Sequence, residues 1–388
     1  MPFFSTLSTS ADSTEAVAEV LAEAASFGRV DLALVFYSRQ HIEHISAIGK
    51  TIADTLAPRA VLGCLGESIV SNDREIENTP ALSLWLGHWP EGIDIEAFEL
   101  QTVKTSDGQE ILGRPDLLFE IDPARAMMIL LGDPFTFPIS DSFLPSINEE
   151  YPGLVVVGGM SSNPVGPGYD CLLLGDKAIG TGAVGVLLSG NLKARTVVSQ
   201  GCRPIGEPLI ITEGQENLIT ELAGQPPLEY LKELFPKLPK ADQLLINRGL
   251  FLGIAFDEAR ETFGRGDYII RNLMGFDHES GGLAVTDRIR VGQTVQFQIR
   301  DAATADEDLK AMMTATTASS GRAAGGLLFS CNGRGTRMFD TASHDAGVIQ
   351  ATNGPVALAG LFAAGELGPV GGQNYIHGFT ASIVLFDE

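Results

Sequence analysis

Short, nearly continuous apolar runs of strand length recur along this chain, most of them ending in a glycine-bearing or polar loop. Val30 to Tyr37, Ala60 to Cys64, Met127 to Leu131, Leu154 to Val157, Ala183 to Leu188 and Leu327 to Ser330 are of this kind. Such a run fits a strand covered on both faces, so other layers must lie over it. Helical periodicity falls between some of them. Asp12 and Glu15 have capping-box spacing, and Val17, Val20, Leu21 and Ala24 follow on one face. Ile42, Ile45, Ile48 and Ile52 recur at helical spacing in the segment from His41 to Leu56. Strands alternating with helices imply an α/β class with mixed sheets covered by helices.

Composition limits the partners. The 388 residues include 26 Lys and Arg against 49 Asp and Glu, a formal net charge of -23. A polyanion with scattered cations repels phosphate backbones, so no nucleic-acid partner is expected. Apolar stretches such as Ala126 to Leu131 are too short to cross a bilayer, and no membrane insertion is expected. Met1 to Ser10 lacks the basic and apolar regions of a secretory signal. Cys64, Cys171, Cys202 and Cys331 form no CxxC pair, and their wide spacing points to a reducing compartment. The expected location is cytoplasmic.

A break is expected at Gly224-Gln225-Pro226-Pro227, where two prolines precede a new helical pattern from Pro227 to Phe235. This gives an N-terminal helix over 1–29, a first domain over 30–224 and a second over 225–388. Thr304 and Glu307 have capping-box spacing before Leu309, Met312 and Met313. Cys64-Leu65-Gly66-Glu67 and Cys331-Asn332-Gly333-Arg334 echo one another, which points to two related α/β units. Thr380 to Phe386 reads as a last strand that pairs within a sheet.

The polar residues that could carry function concentrate between Ser330 and Thr380. Cys331, Asn332, Arg334, Glu366, Asn374 and His377 are the candidate ligand-binding set, separated by glycines that let backbone approach a ligand. Arg334 can clamp a carboxylate, Glu366 can accept from an ammonium, and Asn332, Asn374 and His377 supply neutral hydrogen bonds. That set suits a small polar ligand such as an amino acid. Arg334 with Glu366 as a structural ion pair, and His377 as a core histidine, are the competing structural roles. Cys331 with His344 or His377 and an acidic orienter also supplies the ingredients of a thiol-dependent hydrolase or transferase, without a spacing that fixes their geometry. A catalytic role is less favoured than binding, and no catalytic residue is assigned. His41 and His44 lack an obvious third ligand, and no metal is expected. The glycine-rich segment 158–168 is not a Walker loop, and no dinucleotide fingerprint opens a helix. No cofactor is expected.

Leu327 to Gly335, Phe339, His344-Asp345, Gly360 to Pro369 and Asn374 to Thr380 together resemble the C-terminal FIST domain. Asp31 to Tyr37, Ala60 to Glu67, segment 158–168 and Ser199 to Gly206 resemble the N-terminal FIST domain. The resemblance covers nearly the whole chain beyond residue 29. It implies a stand-alone, bacterial-type intracellular sensory protein for a small ligand, with amino acids proposed as ligands for the family. Its length leaves no room for an output module, so the signal would pass to a separate partner protein. A protein-interaction scaffold without a small ligand is the further alternative.

Overall fold

The apolar runs become strands, and their pairing follows one pattern three times. The computed structural model describes residues 2–89, 93–106, 108–162, 166–169, 171–277 and 279–388. The segment 158–168 singled out above therefore lies partly outside the described residues, at 163–165. The chain forms two compact units, one of residues 1–198, 309–376 and 380–388, the other of residues 199–308 and 377–379.

The first unit begins with β1 (Phe3–Ser8), α1 (Ser13–Ala24), β2 (Leu32–Tyr37), α2 (Ile45–Leu56), β3 (Ala60–Leu65), β4 (Ile69–Ser71), β5 (Arg74–Ile76) and β6 (Leu82–Gly87). It continues with β7 (Ile93–Thr105), β8 (Gly108–Leu112), β9 (Ala126–Gly132), α3 (Leu144–Glu150), β10 (Val155–Met160), β11 (Leu172–Leu174), β12 (Lys177–Ile179), β13 (Ala183–Gly190) and β14 (Ala194–Gln200). Asp12 caps α1 by accepting from the Thr14 and Glu15 amides, as the sequence predicts.

The second unit follows as β15 (Cys202–Pro204), β16 (Leu209–Gln215), β17 (Leu218–Leu222), α4 (Pro227–Leu234), α5 (Lys240–Ile246), β18 (Leu250–Ala255), β19 (Tyr268–Phe276), β20 (Leu283–Val285) and β21 (Thr294–Arg300). Then α6 (Ala302–Ser320) returns the chain to the first unit, which ends with β22 (Gly325–Cys331), α7 (His344–Asn353), β23 (Ala357–Ala363), β24 (Glu366–Val370), β25 (Gln373–His377) and β26 (Thr380–Phe386). The cap expected of Thr304 falls instead to Asp301, whose Oδ1 accepts from the Thr304 amide at 3.2 Å.

Three sheets of the first unit share one strand order: β1-β6-β2-β3-β11-β12, β7-β13-β9-β10-β24-β25 and β14-β26-β22-β23-β4-β5. The second of these also carries β8 beyond β7. In each, a parallel pair (β2/β3, β9/β10 or β22/β23) is joined through one helix, α2, α3 or α7. The hairpin that follows each pair leaves its own sheet and extends another. Leu172 of β11 pairs with Cys64, Glu366 of β24 with Gly159, and Ile69 of β4 with Leu361. The exchange is cyclic, so the first unit is a threefold repeat whose members each complete a neighbour. The sequence echo suggested two related units because it aligned Cys64 with Cys331. Topologically Cys64 sits on the second parallel strand of its repeat and Cys331 on the first.

The α/β class holds, with mixed sheets in the first unit. The second unit is different. Its sheet is antiparallel and closes on itself through β18–β21, forming a small barrel over Ile211, Leu252, Val295 and Phe297. Closure leaves no open sheet edge along that seam. Gly224 to Pro227, read above as a boundary, joins β17 to α4 inside this unit. No helix among the described residues is long and apolar enough to cross a membrane.

Candidate functional site

Hairpin exchange brings strand ends from all three repeats together. The Leu65 amide donates to Cys171 O, the Met160 amide to Gly365 O and the Phe362 amide to Ser68 O, each at 2.9 Å. The Ser162 hydroxyl, fully buried, donates to Phe362 O and accepts from the Glu67 amide. These contacts lie at the carboxyl ends of the parallel strands, where α/β sheets present polar groups to a crevice.

Cys331 ends β22, and the chain then turns through Asn332, Gly333, Arg334 and Gly335. Gly335 has φ +58, and a Cβ there would stand 2.5 Å from the Phe362 ring. Only glycine permits this turn, which drives Arg334 inward. Arg334 is completely buried and forks onto Asp345 at the start of α7, with Nε–Oδ2 at 2.7 Å and Nη2–Oδ1 at 2.8 Å. Asp345 also accepts from Ser330 Oγ at 2.8 Å and meets His344 Nδ1 at 2.9 Å. The His344 ring stacks on Phe339 with centroids 3.5 Å apart, and the Arg334 guanidinium lies over the same ring at 5.2 Å.

Electrostatics divide the acids of this cluster. Burial opposes ionisation of Asp345, but the Arg334 charge and hydrogen bonds hold its carboxyl well below the usual range. Glu75, reaching in from β5, accepts from the Ala346 amide at 2.8 Å. Burial, then the Asp345 charge, pushes Glu75 up to about 8. Glu366 is completely buried at the start of β24, and burial pushes it up to about 8 as well. Its Oε2 accepts from the Thr380 hydroxyl at 2.8 Å and the Thr380 amide at 3.2 Å. Its Oε1 is buried without a standard hydrogen-bond partner among the described residues, the Cys331 thiol interacting with the carboxyl as a weak donor.

Of the six sequence-predicted residues, Cys331, Asn332, Arg334 and Glu366 gather at these strand ends. Asn374 is occupied otherwise: it accepts from the Val156 amide at 2.8 Å and donates to Leu154 O at 2.8 Å and Asn148 Oδ1 at 3.0 Å. It locks β25 onto β10 and α3. His377 is buried and belongs to the second unit. The sequence reasoning missed Glu75, Glu67 and Arg337. Arg337 lies exposed over the turn, donating to Asn332 O at 2.7 Å and pairing with Glu67. Glu67 and Glu75 lie more than 250 residues from their partners, and no local spacing signals such a contact.

His41, one of the two histidines weighed as metal ligands, is buried with Nδ1 2.9 Å from Ser13 Oγ. A cavity of about 800 Å³ lies away from this chemistry, at the amino ends of β22 and β23.

Comparison with known proteins supplies the family. The FIST N domain matches residues 31–225 and the FIST C domain residues 227–369, so the two meet at the Gly224–Pro227 turn. An uncharacterized protein of Mycobacterium bovis is 43% identical over 357 residues, covering 92% of this chain and 90% of its own length. An uncharacterized protein of Mycobacterium tuberculosis is 42% identical over 385 residues, covering 98% of each. FIST domains are generally sensory and signal-transduction domains. The chain carries both in succession along most of its length and belongs to the FIST family.

Proposed function

We propose that this protein is an intracellular, cytoplasmic sensor whose small polar ligand, an amino acid among the candidates, binds at the strand ends around Cys331, Asn332, Arg334 and Glu366. The observation that carries this reading is the Oε1 of Glu366, a buried polar atom with no standard partner among the described residues. Native interiors rarely leave such a group unsatisfied, because doing so costs about 1–3 kcal/mol. A ligand group bonded to Oε1 would recover that energy. Access would come by parting the exposed Arg337–Glu67 bridge, since a surface ion pair is worth only about 0–1 kcal/mol. Arg334 acts here through its positive charge, because Asp345 holds its fork. The signal would pass to a separate output protein. Asn374 and His377 would support the site through the strand that carries them.

The test is native mass spectrometry of the purified protein and of Cys331→Ser. A small molecule retained by both supports binding. Loss of a covalent adduct in Cys331→Ser alone would favour the thiol-dependent enzyme. Absence of any bound molecule, with a protein partner recovered instead, would favour the interaction scaffold.

A further inference from the structure

We propose that Cys331 is a redox-modification site: a hydroperoxide converts its thiol to a sulfenic acid, and Glu366 supplies the proton that the departing oxygen needs. The inference uses residues of the strand-end site but does not rest on what that site binds. It concerns a reaction of the side chains themselves, and no small polar ligand takes part.

The four cysteines are free thiols in different settings. Cys64 and Cys171 are completely buried, Cys202 is 1% exposed and Cys331 is 7% exposed. Burial pushes the Cys64 thiol far up and the Cys171 thiol up to about 12, which keeps both inert. The Cys331 sulfur has other company. The Gly333 amide donates to it at 3.4 Å, and the guanidinium charges of Arg334 and Arg337 act on it. An N–H donor and nearby cations favour negative charge on sulfur, and the thiolate is the nucleophile. Hydrogen peroxide is little larger than water, which suits the slight exposure of Cys331.

The contacts of Glu366 fix where the proton comes from. Its Oε2 accepts from the Thr380 hydroxyl at 2.8 Å and the Thr380 amide at 3.2 Å, which occupies both lone pairs of that oxygen. A proton on this carboxyl therefore sits on Oε1, the oxygen with no standard partner among the described residues. The Cys331 thiol interacts with the same carboxyl. Burial pushes Glu366 up to about 8, so the proton is held at neutral pH and is ready to be given up there. In the reaction the Cys331 thiol loses its proton to solvent, its sulfur attacks one peroxide oxygen, and the O–O bond breaks. The Oε1 proton passes to the departing hydroxide to make water, and the Glu366 carboxylate regains a proton from solvent. In sum a thiol and hydrogen peroxide give a sulfenic acid and water, with two electrons passing from sulfur to the peroxide.

Two reactions of the reduced, full-length protein test the proposal: oxidation by hydrogen peroxide, with dimedone trapping the sulfenic acid, and alkylation by iodoacetamide. Both are followed at each cysteine by peptide mass spectrometry. Cys331 is expected to take up dimedone well before Cys64, Cys171 or Cys202. Glu366→Gln is expected to slow the peroxide reaction about a hundredfold, the worth of a positioned general acid. Alkylation expels iodide, which needs no proton, so its rate in Glu366→Gln should stay close to the parent's. Above pH 8, where Glu366 ionises, peroxide oxidation of the parent should slow relative to alkylation, while the ratio in the variant stays flat. Should Glu366→Gln fail to fold, judged by circular dichroism, the pH profile of the parent decides alone. No dimedone adduct at Cys331, or oxidation there no faster than at the other three, would overturn the proposal. So would equal peroxide rates in both proteins, equal slowing of both reactions in the variant, or a parent ratio that does not fall above pH 8.

Discussion

Replacing Glu366 by Gln should change how stability depends on pH. Glu366 has an ordinary carboxyl value of 4.5 when unfolded and about 8 in the folded protein. Between those values the folded state holds a proton that the unfolded chain has released. Stability therefore falls with rising pH through this window, by about 1.4 kcal/mol per pH unit. The contribution is complete below the unfolded value and gone above the folded one, a total of about 5 kcal/mol. Gln keeps a neutral side chain whose oxygen can still accept from Thr380, and it cannot ionise. Unfolding free energies of both proteins, measured in urea at intervals from pH 5 to 9, should diverge as pH rises. The advantage of Glu366→Gln should grow by about 3 kcal/mol between pH 5 and 7.5 and level off beyond 8. Glu75 titrates similarly in both proteins and cancels. Parallel curves across that range would refute the reasoning.

Three further outcomes follow from the same contacts. Arg334→Ala leaves Asp345 buried without its cation and should cost about 3–5 kcal/mol in urea unfolding, with Arg334→Lys a poor substitute because one ammonium cannot fork onto both oxygens. A loss below about 1 kcal/mol would place that pair in water rather than in the core. Asn374→Ala strands the Val156 amide and Leu154 carbonyl and should lower stability by about 1–3 kcal/mol, read from the same titration. Deleting residues 380–388 removes β26, whose seven residues are all buried, and should abolish cooperative unfolding; an unchanged melting transition would contradict this.

The parallel strands were legible because each is buried along nearly its whole length and its sequence shows it. Ala60–Leu65, in a parallel pair, and Thr380–Phe386, antiparallel to β22, are both read directly from their apolar runs. Phe3–Ser8 was not, because Phe-Phe-Ser-Thr-Leu-Ser neither alternates strictly nor forms a continuous apolar run, and residues 1–29 read as helix alone. The cyclic hairpin exchange was hidden for another reason: its pairs, such as Ile69 with Leu361, join segments nearly 300 residues apart. The barrel escaped because closure is a property of pairing between β18 and β21, while each strand alone reads like any other. At the site, Arg334 and Glu366 stood out as charges within apolar, glycine-rich sequence. What each one touches did not, since Asp345 also reads as an ordinary first-turn residue of a helix.

Sensing of a small polar ligand at the strand ends is tested most directly by calorimetric titration of the twenty amino acids into the parent protein and Glu366→Gln. The account predicts saturable binding of at least one of them to the parent. Its affinity should fall about tenfold or more in Glu366→Gln, since the amide replaces an ionisable partner at a buried contact. The circular dichroism spectrum of the variant should be unchanged. Binding of equal strength to both proteins, or no binding to the parent, would contradict it.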